Sequence, residues 1–206
     1  MSKLLLIAAA SYLLGSIPFG YLLTRIFHGE DVRESGSGNI GATNVSRKSP
    51  VLGGLTLLLD ALKGSASVGL AYYLSNRGTI EFRYEAMSIA AFFAVAGHVF
   101  PVWLKLRGGK GVATGLGSFV VIAPKAVLFA ALVFVAVVAI SRRVSLGSIV
   151  GVACFPLLAY EFGEYGDVAN ALALMSVTSL LIVAKHHENI QRLLAGTESR
   201  IGSKPV

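Results

Sequence analysis

One stretch near the middle of the chain, residues 97–114, reads GHVFPVWLKLRGGKGVAT. It begins at the end of an apolar run, where Phe100, Trp103 and Leu104 suit a membrane boundary. Three cations set among glycines follow at once, and a second apolar segment begins directly after them. This order is typical of a basic loop between two membrane helices, so the stretch predicts a helical bundle in a membrane.

The composition of the whole chain supports this interpretation. Of the 206 residues, 54% are hydrophobic and only 14% are charged, and the mean hydropathy is +0.70. A soluble domain could not bury so much apolar surface. The net charge of +7 lies in short clusters between apolar runs, which argues against a nucleic-acid partner. Cys154 is the single cysteine of the sequence, so no intrachain disulfide is possible.

Apolar runs predict seven membrane-spanning helices. They cover residues 4–24, 50–74, 86–104, 111–124, 126–141, 144–160 and 168–184. We therefore expect an all-α integral membrane protein that forms one domain over residues 1–206. The fourth run is short and glycine-rich, so its crossing needs an independent argument.

The distribution of lysine and arginine supplies that argument. With seven crossings, thirteen of these residues lie on one side and four on the other, and Lys63 lies within the second span. Membrane proteins concentrate such residues in cytoplasmic loops. We therefore expect the N-terminus outside and the C-terminus in the cytoplasm. A re-entrant fourth segment would instead place Arg142, Arg143 and the tail outside.

The basic loop after the third span predicts an anion site. Arg107 and Lys110 can place two fixed positive charges around one small volume, and the neighbouring glycines Gly108, Gly109 and Gly111 can add several unobstructed N–H groups. A phosphate group requires such donors. The alternative is an ordinary basic cytoplasmic loop.

The first loop, residues 25–49, adds neutral donors and a further cation. It is too long for a simple connection, so we expect it to be functional or disordered. Arg47 offers a planar set of donors that suits phosphate. The other candidate substrate-binding residues of this loop are Ser37, Gly38, Asn39, Thr43 and Asn44. A flexible glycine and serine linker is the alternative.

Two more polar groups follow on the same predicted face. Ser145 is a predicted N-cap of the sixth helix, and Ser148 lies one turn further on nearly the same side. His186 and Asn189 share a face if the last helix continues out of the membrane. We expect no metal site there, because His186 and His187 diverge on a helix and no further ligand completes a tetrahedral set nearby.

Three ionisable residues, Asp60, Lys63 and His98, lie inside the predicted spans. Asp60 and Lys63 lie one turn apart in the second span, and we expect a structural ion pair near the membrane face. For His98, a hydrogen-bonded histidine at a helix end is favoured over a residue of the anion site.

Three blocks of sequence together resemble one known family. They are GSGNIGATN at 36–44 with Arg47, GH at 97–98 through RGGKG at 107–111, and HxxNI at 186–190 through GTE at 196–198. The chain resembles the bacterial membrane-integral glycerol-3-phosphate acyltransferases that use acyl phosphate, the PlsY family. The resemblance spans nearly the whole chain, with one mild departure at Lys185, where arginine is expected.

This resemblance implies an activity and a site. The activity is transfer of a fatty acyl group from acyl phosphate to the 1-hydroxyl of sn-glycerol 3-phosphate, in a bacterial cytoplasmic (inner) membrane, by a monomer without a cofactor. The implied catalytic residues are Ser37, Arg47, Lys110, His186 and Asn189. The implied substrate-binding residues are Gly38, Asn39, Thr43, Asn44, Arg107, Gly108, Gly109, Gly111 and a serine of the next loop, Ser145 or Ser148. Either His186 or the substrate's own phosphate accepts the hydroxyl proton, and we favour the phosphate.

Two other classes fit the sequence less well. A phosphate or organic-anion transporter usually places its site near the midplane between internal repeats, whereas these clusters lie on one face and the halves show no repeat. An alcohol-phosphatidyl transferase needs a carboxylate-rich metal site, but Asp60 is the only acidic residue within a predicted span.

Overall fold

The computed structural model describes residues 2–78, 82–166 and 168–202, and every regular element in these ranges is helical. Two short 3₁₀ turns, Val32–Glu34 and Val102–Leu104, accompany the α-helices. The α-helices are α1 Ser2–Gly15, α2 Phe19–His28, α3 Ala42–Val45, α4 Pro50–Asn76, α5 Arg83–Val99, α6 Val112–Ile122, α7 Pro124–Ser141, α8 Val144–Glu161, α9 Ala169–Ala184 and α10 His187–Leu194. The expectation of an all-α protein is therefore confirmed for the described residues.

Five helical segments within the described ranges are long and apolar enough to cross a membrane. They are Lys3–His28, Pro50–Asn76, Arg83–Leu104, Pro124–Ser141 and Val144–Glu161. A sixth arises if α9 and α10, which meet at a bend of 55°, are counted as one span. Seven crossings therefore stay a prediction. The helix at issue is α6, whose 11 residues extend only about 16 Å, against about 30 Å of hydrocarbon.

The first predicted span is two helices rather than one. Pro18 has no N–H group with which to continue the α1 ladder, so α1 ends at Gly15 and α2 begins at Phe19. The break exposes the backbone carbonyl of Ile17, which accepts a hydrogen bond from Lys63 Nζ at 2.7 Å. The interruption therefore connects the first span to α4.

Small residues allow the helices to approach closely, as is typical of packing in membranes. A Cβ on Gly15 would lie 2.1 Å from the carbonyl oxygen of Ala94, so α1 and α5 touch backbone to backbone. At the crossing of α4 and α6, a Cβ on Gly117 would lie 1.9 Å from the carbonyl oxygen of Ala61. Ser65 Oγ also donates to the carbonyl of Gly117 at 2.7 Å. These contacts hold α6 firmly against α4.

The loops that carry the predicted site meet at one end of the bundle. Arg47 reaches Ser199 of the tail, Lys110 reaches Asn189, and Ser145 reaches Glu198. The junction of α6 and α7 lies at the other end, where the backbone N–H groups of residues 125 and 126 donate to a carboxylate of the connection between α8 and α9. The helices thus bring sequence-distant polar segments together at one end.

Candidate active site

Asn44 organises the first loop. Its Nδ2 donates to the carbonyls of Val32, Ser35 and Asn39 at 2.9 to 3.0 Å, and its Oδ1 accepts from the N–H of Ser37 at 2.9 Å. The side chain is buried, with 3% of its surface exposed. We predicted Asn44 as a substrate-binding residue, and the structure commits its amide to the backbone of the loop. Asn44 therefore positions the loop.

The same loop presents its hydroxyl groups outward. Gly36 and Gly38 adopt left-handed φ values of 61° and 66°, and Ser37 and Thr43 are exposed. A Cβ on Gly36 would lie 2.2 Å from Asn44 Oδ1 and 3.3 Å from Arg47 Nη1, so this turn runs beside the Arg47 guanidinium. Asn39, predicted to bind substrate, uses its Oδ1 to accept from the N–H of residue 41 at 2.8 Å.

The glycines after Arg107 do not present free N–H groups in the way that the sequence suggested. The N–H of Gly108 donates to the carbonyl of Val99 at 3.2 Å, and that of Gly109 donates to the carbonyl of His98 at 3.1 Å. Our expectation of several unobstructed donors is therefore wrong at these two positions. The physical reason is that the carbonyls at the end of α5 lack helical partners and the loop folds back to satisfy them.

Residues 108–111, which we call the glycine turn, nevertheless place Lys110 just before the start of α6. Gly111 has a left-handed φ of 88° and directly precedes α6, whose first-turn N–H groups have no partner within the helix. Lys105 and Leu106 are non-glycine residues with φ of 52° and 63°. Two successive left-handed side chains are strained, and such strain clusters at functional sites. Arg107 is exposed on this loop, and no hydrogen bond among the described residues ties its guanidinium to the tail.

A chain of polar side chains joins three segments around Glu198. Lys110 Nζ donates to Asn189 Oδ1, and Asn189 Nδ2 donates to Glu198 Oε1 at 2.7 Å. Ser145 Oγ donates to the same carboxylate oxygen at 2.6 Å, and Arg192 Nε donates to Oε2 at 2.7 Å. We call these five residues the polar cluster. It unites the glycine turn, the start of α8 and the tail.

The structure distinguishes the two serines that the sequence left open. Ser145 lies inside the first turn of α8 and its hydroxyl faces the polar cluster, whereas Ser148 Oγ donates to the carbonyl of Val144 in its own helix at 3.0 Å. The prediction that Ser145 is an N-cap is wrong, because Arg143 occupies that position. The Ser145 hydroxyl instead donates a hydrogen bond to Glu198.

The surroundings of the polar cluster favour a negative charge on Glu198 and a positive charge on Lys110. Burial would raise the pKa of Glu198, but hydrogen bonds from Ser145, Asn189 and Arg192 hold the pKa below its ordinary value. Burial lowers the pKa of Lys110, and the nearby charge of Glu198 opposes that shift. Glu198 therefore stays ionised and supports a positive charge on Lys110.

His186 lies at the bend between α9 and α10. The last helix does not continue straight out of the bundle as expected, since it turns by 55° there. His186 is buried, and its Nδ1 donates to the carbonyl of Ile182 at 2.8 Å. Burial lowers the pKa of His186 to about 4. The imidazole is therefore neutral at physiological pH and has Nε2 as its acceptor.

Three residues of the site went unassigned in the sequence analysis. Glu198 and Arg192 belong to the polar cluster, and Ser199 Oγ accepts from Arg47 Nη2 at 3.0 Å. The available signal was Glu198 itself, one of two carboxylates in the basic tail and the last residue of the third sequence block. No group of three metal-ligating side chains converges within residues 2–78, 82–166 and 168–202.

These features define a membrane-integral helical protein with a cationic polar site at one end of the bundle. The family model described as glycerol-3-phosphate acyltransferase matches residues 5–196. The glycerol-3-phosphate acyltransferase of Syntrophotalea carbinolica is 48% identical over 97% of this chain and 98% of its own length. That of Sinorhizobium fredii is 49% identical over 97% of this chain and 93% of its own.

A solved structure shows the same fold. The crystal structure of PlsY, an integral membrane glycerol 3-phosphate acyltransferase, in its glycerol 3-phosphate form superposes with a TM-score of 0.87. It is 36% identical and the match covers 97% of this chain and 96% of that one. The lysophosphatidic acid form of PlsY gives a TM-score of 0.84 at 34% identity, with the same coverage. The chain belongs to the glycerol-3-phosphate acyltransferase family and is an integral membrane acyltransferase of the PlsY type.

Proposed function

We propose that the enzyme transfers a fatty acyl group from acyl phosphate to the 1-hydroxyl of sn-glycerol 3-phosphate and releases lysophosphatidic acid and inorganic phosphate. The hydroxyl oxygen attacks the acyl carbon, the bond from that carbon to the phosphate oxygen breaks, and the hydroxyl proton leaves with phosphate. Support comes from the family and from two PlsY structures whose forms are described as glycerol 3-phosphate and lysophosphatidic acid.

The observation that carries this proposal is the polar cluster beside Arg47. Both substrates are phosphorylated, and Arg47 and Lys110 come from different segments that meet at one end of the bundle. Each cation currently bonds a neutral oxygen, Ser199 Oγ or Asn189 Oδ1, which a phosphate oxygen can replace with a stronger, charge-assisted bond. Arg107 adds charge from the rim of the site.

Neutral groups complete the proposed site. Ser37 and Thr43 are exposed on the loop beside Arg47, where their hydroxyls are free to orient substrate oxygens. Asn189 bridges Lys110 and Glu198, so it fixes the direction of the lysine ammonium. Of the two candidate serines, we propose that Ser145 contributes, because its hydroxyl bonds Glu198 within the polar cluster.

We propose that a substrate phosphate, rather than His186, accepts the hydroxyl proton. An efficient base has a pKa near the working pH, whereas the pKa of His186 is about 4. A phosphate monoester has a second pKa near 6 and is therefore the better acceptor. Since acyl phosphate is already activated, orientation and stabilisation of the oxyanion supply much of the remaining acceleration. His186 then accepts a hydrogen bond from a substrate hydroxyl through Nε2.

The proposed setting is the bacterial cytoplasmic membrane, with the site at the cytoplasmic face and a monomeric enzyme. Lysines and arginines are concentrated in the loops that meet at the site, as the positive-inside rule requires of cytoplasmic loops. Both phosphorylated substrates are then supplied from the side where such anions are made, and the acyl chain lies in the bilayer.

The test is product formation by the purified protein in detergent, with uptake into proteoliposomes measured in parallel. Palmitoyl phosphate and radiolabelled glycerol 3-phosphate are supplied, with palmitoyl-CoA in a parallel reaction. We expect lysophosphatidic acid from the acyl phosphate alone. Lys110→Ala should lower the rate at least about a hundredfold, as loss of one charged stabilising donor does elsewhere.

Lys105→Ala is the matched control. Lys105 is an exposed cation on the same loop, and its replacement leaves the polar cluster intact. Its activity should stay within about twofold. Product from palmitoyl-CoA alone would overturn the proposed donor. Labelled glycerol 3-phosphate that accumulates unchanged inside proteoliposomes would overturn acyl transfer and support transport.

A further inference from the structure

A buried set of ionisable side chains lies between α4 and α5, outside the polar cluster. Lys63 Nζ lies 2.8 Å from Asp60 Oδ1 and 3.0 Å from His98 Nδ1. The side chains of Asp60, Lys63 and His98 are 3%, 1% and 4% exposed, respectively. The predicted pair of Asp60 and Lys63 is therefore confirmed, and His98 completes a buried triad.

The triad is tied to the break in the first span. Lys63 Nζ also donates to the carbonyl of Ile17 at 2.7 Å, at the position where Pro18 interrupts the helix. An ammonium group can only donate, so Nδ1 of His98 accepts and its Nε2 carries the ring proton. Lys63 thus fixes the orientation of the His98 ring from one side.

The other side of the ring supports the glycine turn. A Cβ on Gly109 would lie 2.1 Å from His98 Nε2, and a Cβ on Gly108 would lie 2.1 Å from the His98 carbonyl oxygen. The N–H of Gly109 donates to that same carbonyl at 3.1 Å. The turn therefore rests on His98 with no room for a side chain, and Lys110 is the next residue.

A purely structural role explains the triad poorly. Three ionisable groups inside a membrane bundle are costly, and well-packed apolar side chains of similar volume would often be at least as stable. Apolar residues cannot supply a ring whose orientation is fixed by hydrogen bonds. The contacts of the ring lead directly to the segment that presents Lys110.

We propose that Asp60, Lys63 and His98 are positioning residues that hold the glycine turn so that Lys110 meets the substrate phosphate. This inference rests on the proposed function and deepens it. Lys63 and Asp60 hold the His98 ring in one orientation. The ring packs against Gly109, and the turn in consequence sets the position of the Lys110 ammonium. None of the three touches a substrate.

The test is a double-mutant cycle between His98 and Gly109. His98→Asn keeps an oxygen that can accept from Lys63 but removes the ring atoms over Gly109. Gly109→Ala introduces the methyl group that meets His98 Nε2. A shift of about 1 Å at a reacting group costs about a hundredfold in rate, so we expect each single variant to lower kcat/KM for glycerol 3-phosphate by ten- to a hundredfold.

The double variant carries the decisive result. Because the asparagine leaves room for the methyl group, we expect the double variant to be no less active than Gly109→Ala, so the two losses do not multiply. Equilibrium binding of inorganic phosphate to the folded protein should weaken in parallel in the single variants. A merely structural role would lower the unfolding temperature and leave the affinity of the folded fraction unchanged.

Gly54→Ala is the matched control, because a Cβ at this helical glycine of α4 meets nothing within 4 Å. It should behave as the wild type. Losses that multiply in the double variant, or His98→Asn with wild-type kcat/KM and phosphate affinity, would overturn the inference. A wild-type protein that forms no lysophosphatidic acid yet shows the coupled phosphate affinities would overturn the proposed function and leave the positioning role standing.

Discussion

At the scale of single residues, Ser145 and Ser148 show how contact partners separate two candidates that sequence spacing cannot. Ser145 Oγ donates to Glu198, which also holds Asn189, whereas Ser148 bonds its own helix. We expect Ser145→Ala to lower kcat/KM about tenfold or more, because the buried Glu198 carboxylate loses a donor.

Ser148→Ala is the matched variant for that measurement. This substitution also replaces a serine by alanine, but the hydrogen bond that it removes lies within α8. We therefore expect a clearly smaller loss of kcat/KM than in Ser145→Ala. Steady-state kinetics with both substrates varied compare the two proteins. A larger loss in Ser148→Ala would contradict the assignment of Ser145 to the site.

His186 predicts a pH dependence of stability. Its pKa is about 4 in the folded protein against an ordinary value of 6.5. Between these values the unfolded chain binds a proton that the folded protein does not, so stability falls as the pH falls from 6.5 towards 4. Above pH 6.5 the group contributes no pH dependence. The full effect is about 3 kcal/mol.

Thermal unfolding of the detergent-solubilised protein at pH 7.5 and pH 5 measures this effect. His186→Gln keeps a polar side chain of similar reach but does not titrate. We expect its unfolding temperature to fall less than that of the wild type between the two pH values. Equal falls in both proteins would show that His186 is not buried in its neutral form.

Residue types indicated which polar groups could contribute to the candidate site, but not which hydrogen bonds those groups make. Nothing in the sequence indicated that Asn44 satisfies four backbone groups of its own loop, or that Gly108 and Gly109 bond the end of α5. Both outcomes depend on which backbone groups the fold leaves unpaired. Glu198 was missed for the same reason, since its partners lie on segments far apart in sequence.

At the scale of elements, hydrophobic runs predicted where most helices lie but not where they break. The fifth and sixth predicted spans, residues 126–141 and 144–160, match α7 and α8 closely. Pro18 marks the break of the first span in the sequence, but the bend between α9 and α10 has no proline or glycine to signal it. That bend follows from tertiary contacts that draw the tail to the polar cluster.

The close contact between α4 and α6 predicts that one added methyl group lowers the stability of the protein. Gly117→Ala places a Cβ 1.9 Å from the backbone oxygen of Ala61, and backbone cannot rotate away as a side chain can. We expect a loss of stability of about 1 to 3 kcal/mol, read as a lower unfolding temperature. Gly69→Ala on α4, where a Cβ meets nothing within 4 Å, should leave that temperature unchanged. Equal unfolding temperatures for the two variants would contradict the tight crossing.

At the scale of the whole molecule, the number of crossings stays a prediction and rests on α6. Seven crossings place Lys125 on the side opposite the site and Ser199 on the same side as the site. In a protein with Cys154 replaced by alanine, Lys125→Cys should react with a membrane-impermeant thiol reagent from outside intact cells. Ser199→Cys should react only in inverted vesicles, and labelling of Ser199→Cys from outside intact cells would contradict seven crossings.

The proposed chemistry is transfer of an acyl group between two phosphate-bearing molecules at one end of the bundle. Phosphorus-31 spectroscopy of the purified protein with palmitoyl phosphate and glycerol 3-phosphate tests it most directly, because every substrate and product contains phosphorus. We expect inorganic phosphate and lysophosphatidic acid to appear in equal amounts as both substrates decline, and Lys110→Ala to slow the appearance of both at least about a hundredfold. Phosphate released without lysophosphatidic acid, or no change in either substrate, would contradict it.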